Sequence, residues 1–213
     1  MKNDYKVYSG DSVLLFSTRA EQRNKKFTTV LDDERAIEKY LNRTDALFDG
    51  YVGNDTLILS ERPGFWFGKL LEQADVIIAG GGIVWNENGD LLMIRRRGKW
   101  DLPKGKIEMT ETIKEGAVRE VEEETAVKIN RVEEPPTITY HVYRLKGKKS
   151  LKETSWFPMY AEQGLHPLIP QEKEDITEAI WVKKVTLSHY LNDSFRLIQD
   201  IIHLYLMKDS AKK

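Results

Sequence analysis

One acidic stretch, from Gly105 to Val127, restricts the structure of this 213-residue chain more than any other part of it. It reads GKIEMTETIKEGAVREVEEETAV, and its second half predicts a helix from about Thr112 to Thr125. Thr110 or Thr112 can serve as the N-cap of that helix. Apolar residues recur along it at four-residue spacing, at Ile113, Ala117 and Val121. This stripe predicts that one side of the helix packs against a core.

Three carboxylates lie close together on the predicted helix. Residues three and four apart are neighbours on a helix surface, so we expect Glu120, Glu123 and Glu124 to converge on one side. A solvated acidic face is the ordinary interpretation of a Glu-rich helix. The alternative is a site for a hard divalent cation such as Mg²⁺, which takes oxygen ligands and leaves room for substrate phosphates. The flanking residues favour the second interpretation.

These flanking residues follow the pattern G-x5-E-x7-R-E-U-x-E-E-x-G-U, in which U is a bulky aliphatic residue. All fixed positions but one are matched, by Gly105, Glu111, Arg119, Glu120, Val121, Glu123, Glu124 and Val127. The chain therefore resembles the Nudix hydrolase family. Ala126 stands where the family has its last glycine. Because Ala tolerates a positive φ poorly, we expect the turn that leaves the helix to be slightly altered.

The resemblance implies an α/β fold, a Nudix-type α/β/α sandwich with a mixed sheet, and a pyrophosphohydrolase that uses Mg²⁺, with Mn²⁺ as a substitute. It implies that the backbone carbonyl of Gly105 and the carboxylates of Glu120 and Glu124 bind the metal. Glu123 is then either a third ligand or the base that positions water. Water attacks one phosphorus of a pyrophosphate bridge in this mechanism, and the metal neutralises the diphosphate and lowers the pKa of the water.

Two further residues complete the predicted catalytic set. Arg119 can pair with Glu123 along the helix, or with Glu111, as the family resemblance implies, and either pairing orients carboxylates. In the family, an acidic residue from a loop after the box often supplies another metal ligand or the general base. Glu174, in the loop before a strand predicted from Ala179 to Val182, is our choice for that residue.

A basic loop precedes the acidic helix. Its cationic residues are Arg95, Arg96, Arg97, Lys99, Lys104 and Lys106. A solvated loop that balances the glutamates would explain them, but a phosphate substrate at a metal site also needs positive charge around it. Alternate residues of a strand face opposite sides, so all six cannot reach one ligand. We predict substrate contacts from Arg95, Arg97, Lys104 and Lys106, and Trp100 either stacks on a base or packs in the core.

The chain is predicted to contain two parts, a small N-terminal α/β region of unknown role at residues 1–72 and a Nudix domain at residues 73–213. A β-hairpin around Gly10, a short helix ending at Leu41 and a strand at Thr56 to Ser60 form the first part. The aromatic cluster Phe65 to Phe67 is typical of packing between domains, and a homodimer contact is the alternative.

Composition excludes several functional classes. The chain has no cysteine, which excludes disulfides, thiol catalysis and zinc–thiolate sites. Its net charge of −1 gives no support for general nucleic-acid binding. No apolar run is long enough to span a bilayer and no signal peptide is evident, so a cytoplasmic location is expected.

The predicted function is hydrolysis of a pyrophosphate bond in a nucleoside diphosphate linked to another moiety. The basic loop slightly favours dinucleoside polyphosphates or (oxidised) nucleoside triphosphates over nucleotide sugars and diphosphoinositol phosphates. The alternative is a Nudix module that senses a nucleotide without turnover. Such modules often lose box carboxylates, and here every carboxylate of the box is present.

Overall fold

The computed structural model describes residues 4–25, 27–50, 54–161 and 167–210. The chain divides into two compact units, one formed by Met1–Ile77 with Thr139–Glu153 and the other by Ile78–Ile138 with Thr154–Lys213. The first unit thus includes a later segment that the sequence did not lead us to expect, while the division into domains at residue 72 stays a prediction. Within the described ranges, no helix is both long and apolar enough to cross a membrane.

The first unit is a small α/β structure with a mixed sheet. Its strands are β1 (Tyr5–Ser9), β2 (Ser12–Ser17), β3 (Thr29–Leu31), β4 (Thr56–Leu59) and parts of β10 (Thr137–Leu145) and β11 (Lys148–Ala161). Its helices are α1 (Glu34–Leu41), α2 (Asp45–Phe48) and α3 (Pro63–Leu71). The order β10–β1–β2–β4–β3 combines the antiparallel hairpin β1–β2 with parallel pairs elsewhere. The hairpin turns at Gly10, whose φ of 54° suits a residue without a Cβ.

The aromatic cluster lies mostly inside this unit. Trp66 and Phe67 are buried in its core, and the ring of Phe67 lies 4.5 Å from that of Tyr5 and 4.7 Å from that of Tyr140. Trp66 and Phe67 are therefore buried within their own unit, whereas we predicted packing between domains for the cluster. Only Phe65 is substantially exposed, at 46%.

The second unit has three layers. Its remaining strands are β5 (Asp75–Asn86), β6 (Leu91–Arg96), β7 (Lys99–Asp101), β8 (Lys104–Lys106), β9 (Ile129–Val132) and β12 (Ile176–Val182), and its helices are α4 (Ile113–Thr125), α5 (Leu187–Leu191) and α6 (Arg196–Ser210). The main strands run in the order β12–β6–β5–β11, while β7, β8 and β9 pair with β6, β5 and β11.

Alternation along β6 creates the two hydrophobic faces of this sheet. Leu91 and Met93 belong to the cluster that contains α5 and α6, whereas Leu92 belongs to the cluster that contains α4. Successive side chains of a strand point to opposite faces, so one apolar strand can bury helices on both sides. The predicted α/β/α arrangement is confirmed.

Three consecutive glycines in β5 allow close packing around that strand. A Cβ on Gly80 would lie 2.8 Å from the Cβ of Ala117, and a Cβ on Gly82 would lie 2.7 Å from a methyl group of Val121, both on α4. The absence of side chains therefore brings α4 directly against the sheet. Close approach of a neighbouring element is one of the usual reasons for glycine within a strand.

Helix α4 begins and ends close to the predicted positions. The side chain of Thr112 accepts a hydrogen bond from the Glu115 N–H, and the Thr112 N–H donates one to the Glu115 carboxylate, which is a capping box. The helix ends at Ala126, whose φ is 58°. Ala126 thus adopts the left-handed conformation that suits a glycine, which costs an alanine roughly 1 kcal/mol, and the slight alteration of the turn that we expected stays a prediction.

Candidate active site

Glu120 projects from α4 onto the backbone of β8. Gly105 pairs with Gly80 of β5, and a Cβ added to Gly105 would lie only 1.8 Å from Oε2 of Glu120. Glycine is therefore required for this carboxylate to occupy its position. Burial raises the pKa of Glu120, and the adjacent Arg119 opposes that rise. A partly buried carboxylate thus lies directly against the backbone of the strand.

Arg119 fastens the loop before α4 to the helix. Its Nε and Nη2 donate to the two carboxylate oxygens of Glu111, at 3.0 and 2.7 Å. Its Nη1 donates to Glu120 Oε1 at 2.8 Å and to Glu123 Oε2 at 3.1 Å. Both pairings that we predicted for Arg119 are therefore present together. The hydrogen bonds from Arg119 and from the Glu108 N–H lower the pKa of Glu111 to about 2.

Glu124 is almost completely buried, with 1% of its surface exposed. Its Oε2 accepts a hydrogen bond from the Lys104 backbone N–H at 2.9 Å, and its Oε1 lies 3.9 Å from Nη1 of Arg96. Burial raises the pKa of Glu124 to about 7, although the positive charges of Lys104 and Arg96 work against that rise. An ionised Glu124 is therefore costly in the metal-free protein, and an added cation would stabilise it.

Glu174 reaches the same region from a distant part of the chain. It ends a short 3-10 turn, Glu172–Glu174, that precedes β12. Arg96 donates from Nη2 to Glu174 Oε2 at 2.7 Å and from Nε to the Glu174 carbonyl at 2.9 Å. Since the same guanidinium lies beside Glu124, Arg96 connects the two carboxylates.

The comparison with protein families agrees with this geometry. The family model described as NUDIX domain matches residues 77–199, which is more than half of the chain. The chain belongs to the Nudix family. The acidic helix α4 with the preceding loop is its Nudix box, and most of the matched residues lie in the three-layer unit.

Individual relatives are similar over part of their length. A MutT-like protein from Streptomyces ambofaciens is 48% identical over 50 residues, which cover 22% of this chain and 32% of the relative. The match thus spans about a third of that protein. Among solved structures, a C. elegans Ap4A hydrolase binary complex is 17% identical with a TM-score of 0.42, covering 54% of this chain and 85% of that one. The MutT protein of Methanosarcina mazei Go1 is 27% identical with a TM-score of 0.37, covering 52% and 79%.

Two arginines that we predicted as substrate ligands point away from the Nudix box carboxylates. Arg95 lies 3.6 Å from Glu178 and its guanidinium is 5.6 Å from the ring centre of Trp100. Arg97 is well exposed and donates to Asp175 at 3.2 Å. None of these contacts joins Arg95 or Arg97 to Glu120 or Glu124. Their contact with substrate therefore stays a prediction.

The remaining predicted substrate ligands have different surroundings. Trp100 is 7% exposed and packs edge-on against Tyr190, which corresponds to the packing alternative. Lys104 donates from Nζ to the buried carboxylate of Asp101 at 2.5 Å. Lys106 is exposed, and its backbone carbonyl accepts from Arg119 at 3.2 Å. Lys106 belongs to the Nudix box, and the adjacent Lys104 contacts it through the hydrogen bond from its backbone N–H to Glu124.

The carboxylates of the Nudix box suit a hard cation but do not form a finished ligand set. Among the described residues, no group of three or more His, Cys, Asp or Glu side chains stands close enough to hold one ion. The expected convergence of Glu120, Glu123 and Glu124 is therefore incomplete: Arg119 holds two of them, and Glu124 is held separately by Lys104. The oxygen-only chemistry and the open backbone at Gly105 still fit Mg²⁺ or Mn²⁺. Their assignment as ligands stays a prediction.

Arg96 and Asp101 are the residues that sequence reasoning left out of the candidate site. Arg96 was among the six basic residues, but its neighbours were chosen instead. The strand period contained part of the missing signal, because Arg96 lies on the face of β6 opposite to Arg95. Asp101 offered no such signal, since its role depends on its ion pair with Lys104.

Proposed function

We propose that this Nudix protein is a metal-dependent hydrolase that cleaves a pyrophosphate bond in a nucleoside diphosphate linked to another moiety. The observation that carries the proposal is the complete set of box carboxylates, in which Glu124 is buried with a raised pKa and Glu120 lies against Gly105. Perturbed ionisable groups of this kind concentrate at functional sites. A site whose carboxylates are costly to ionise favours the binding of a cation.

Mg²⁺, or Mn²⁺ in its place, would be held by the Gly105 carbonyl, Glu120 and Glu124, with Glu123 as a further ligand. When bound, the metal would neutralise the diphosphate and lower the pKa of the attacking water. Arg119 orients Glu120 and Glu123 through its hydrogen bonds to both. This arrangement leaves the carboxylates few alternative positions, which is the usual role of groups that support metal ligands.

Two carboxylates are suited to receive the proton of the attacking water. Glu123 is half exposed and close to the predicted ligands on the same helix. Glu174 is also half exposed and is directed toward Glu124 by Arg96. A general base must lie within hydrogen-bond reach of the water that it activates. We propose Glu174 for this role, with Glu123 as the competing candidate.

The substrate class is proposed from charge. Lys104 lies beside Glu124, and Lys106 is exposed on β8 next to Gly105. Cations in this position suit a polyphosphate chain better than a single phosphate. Dinucleoside polyphosphates or (oxidised) nucleoside triphosphates are therefore the favoured substrates. Homodimerisation and a cytoplasmic location stay predictions.

The test is release of phosphate or pyrophosphate across a panel of nucleoside diphosphate derivatives, with Mg²⁺ and with chelator. We expect metal-dependent turnover of one class and loss of nearly all turnover in Glu124→Gln, because removing one transition-state contact of this kind costs several kcal/mol. Glu122→Gln is the matched control, since Glu122 lies on the same helix but pairs with Lys128. Normal kcat in Glu124→Gln would refute the mechanism. Tight binding without turnover would favour a nucleotide-sensing module.

A further inference from the structure

We propose that Arg96 is a positioning residue that docks the Glu172–Glu174 turn and thereby sets where Glu174 lies relative to Glu124. The inference rests on the proposed function, because it gives Glu174 a place in the hydrolysis. Arg96 acts through Glu174 in this proposal and does not need to touch the substrate.

The contacts of Arg96 distinguish it from an ordinary surface arginine. Its side chain is 19% exposed, and two of its nitrogens bind one residue: Nη2 donates to the Glu174 carboxylate and Nε to the Glu174 backbone carbonyl. A contact to the side chain alone would leave the backbone of the turn free to move. Because both groups are held by one rigid guanidinium plane, the position and the direction of Glu174 are fixed together.

The other end of the turn is held by α4 itself. The Gln171 N–H donates to the backbone carbonyl of Glu124 at 3.1 Å, and the Ile169 N–H donates to that of Thr125 at 2.9 Å. The turn is therefore tied to the Nudix helix on one side and to β6 on the other. Between these two attachments its side chains are exposed and form no part of the hydrophobic clusters. Removing the Arg96 side chain takes away both of its hydrogen bonds to Glu174, while the hydrogen bonds of Arg97 to Asp175 remain on the β6 side.

Two other roles for Arg96 make different predictions. If Arg96 only balanced the charge of Glu124, which lies 3.9 Å away, a lysine would replace it adequately. If Arg96 bound a substrate phosphate directly, its loss would mainly raise KM. A positioning role predicts instead that lysine fails, because one ammonium cannot reproduce the paired contacts to the Glu174 carboxylate and carbonyl.

The first measurement is hydrogen exchange of the full chain in chelator, which reports docking without any metal or turnover. The Glu174 and Asp175 amides donate within the turn to Gln171 and Glu172, each at 3.0 Å. We expect both amides to exchange faster in Arg96→Ala and in Arg96→Lys. Arg131→Ala is the matched control, since Arg131 also pairs with a glutamate, Glu133, in the same unit. Unchanged exchange in Arg96→Ala would overturn the proposal.

The second measurement separates positioning from substrate binding. We expect Arg96→Lys to lower kcat by about 10- to 100-fold, the usual effect of removing a supporting contact, with KM nearly unchanged. In a cycle with Glu174→Ala, the double variant should be no slower than Glu174→Ala alone, because both changes remove the same interaction. Independent effects that multiply, or a change confined to KM, would overturn the proposal. Failure of the proposed function is distinguishable, since it would appear as an inactive wild type whatever the exchange result.

Discussion

Burial of Glu124 predicts that the metal-free protein loses stability as the pH rises. The pKa of Glu124 is raised from an ordinary 4.5 to about 7, mainly by burial. Its folded-state pKa thus lies above its unfolded-state value, so the stabilising term is fully present below pH 4.5 and is lost as pH rises through 7. Each unit of pKa difference corresponds to about 1.4 kcal/mol, which gives a loss of roughly 3 kcal/mol across this window.

The assay compares urea unfolding of the wild type and Glu124→Gln in chelator at pH 5 and pH 8. Between these two values we expect the wild type to lose roughly 2–3 kcal/mol of unfolding free energy more than the variant, since Gln remains uncharged. Glu87→Gln, at an exposed position, controls for a general effect of removing one carboxylate and should follow the wild type. At pH 8, Mg²⁺ should stabilise the wild type but not Glu124→Gln.

Equal pH dependence in the wild type and Glu124→Gln would refute this reasoning. It would mean that Glu124 is ionised at little cost in the folded metal-free protein. The hydrogen bond from Lys104 and the nearby guanidinium of Arg96 would then compensate fully for burial. In that case the energetic argument for cation binding at Glu124 would also fail.

Two further substitutions test the geometry of the Nudix box. Gly105→Ala places a Cβ 1.8 Å from Glu120 Oε2, so we expect Mg²⁺ affinity measured by calorimetry to fall about 10- to 100-fold. The control is Gly68→Ala, where no atom lies within 4 Å of the added Cβ. Equal Mg²⁺ affinity in the two variants would contradict this expectation. Ala126→Gly relieves a φ of 58° and should raise the unfolding free energy by roughly 0.5–1 kcal/mol in urea. A destabilised Ala126→Gly would show that the left-handed alanine is not strained.

Local signals were sufficient to predict the Nudix helix and its ends. Of the apolar residues at four-residue spacing, Ala117 and Val121 pack in the core as predicted, whereas Ile113 is exposed. Thr112 with Glu115 forms the cap that begins α4. Each of these features depends on residues within one or two helical turns, which is why sequence alone predicts them.

The choice among the arginines depended on information that sequence does not contain. The strand period separates Arg96 from Arg95, but it does not say which face of β6 meets α4, and Arg97 lies beyond the end of the strand with a φ of 53°. That choice depends on the pairing of β6 with β5 and β12 and on the position of the turn before β12, which lies 78 positions after Arg96. Glu174 was predicted through the family resemblance. Arg96, which holds it, was missed because the sequence does not show that the turn before β12 lies next to β6.

The feature that buries Glu124 is also the one that makes a cation useful there. Gly80 and Gly82 allow α4 to approach the sheet until Ala117 and Val121 touch it, and Glu124 lies one turn beyond Val121 on the same helix. A larger residue in place of either glycine would move the helix outward and give the carboxylate water. Water would lower the cost of ionising Glu124, and with it the advantage of binding a metal ion instead. Burial of Glu124 by the close packing of α4 therefore makes its ionisation costly in the metal-free protein and would favour the proposed metal binding for the same physical reason.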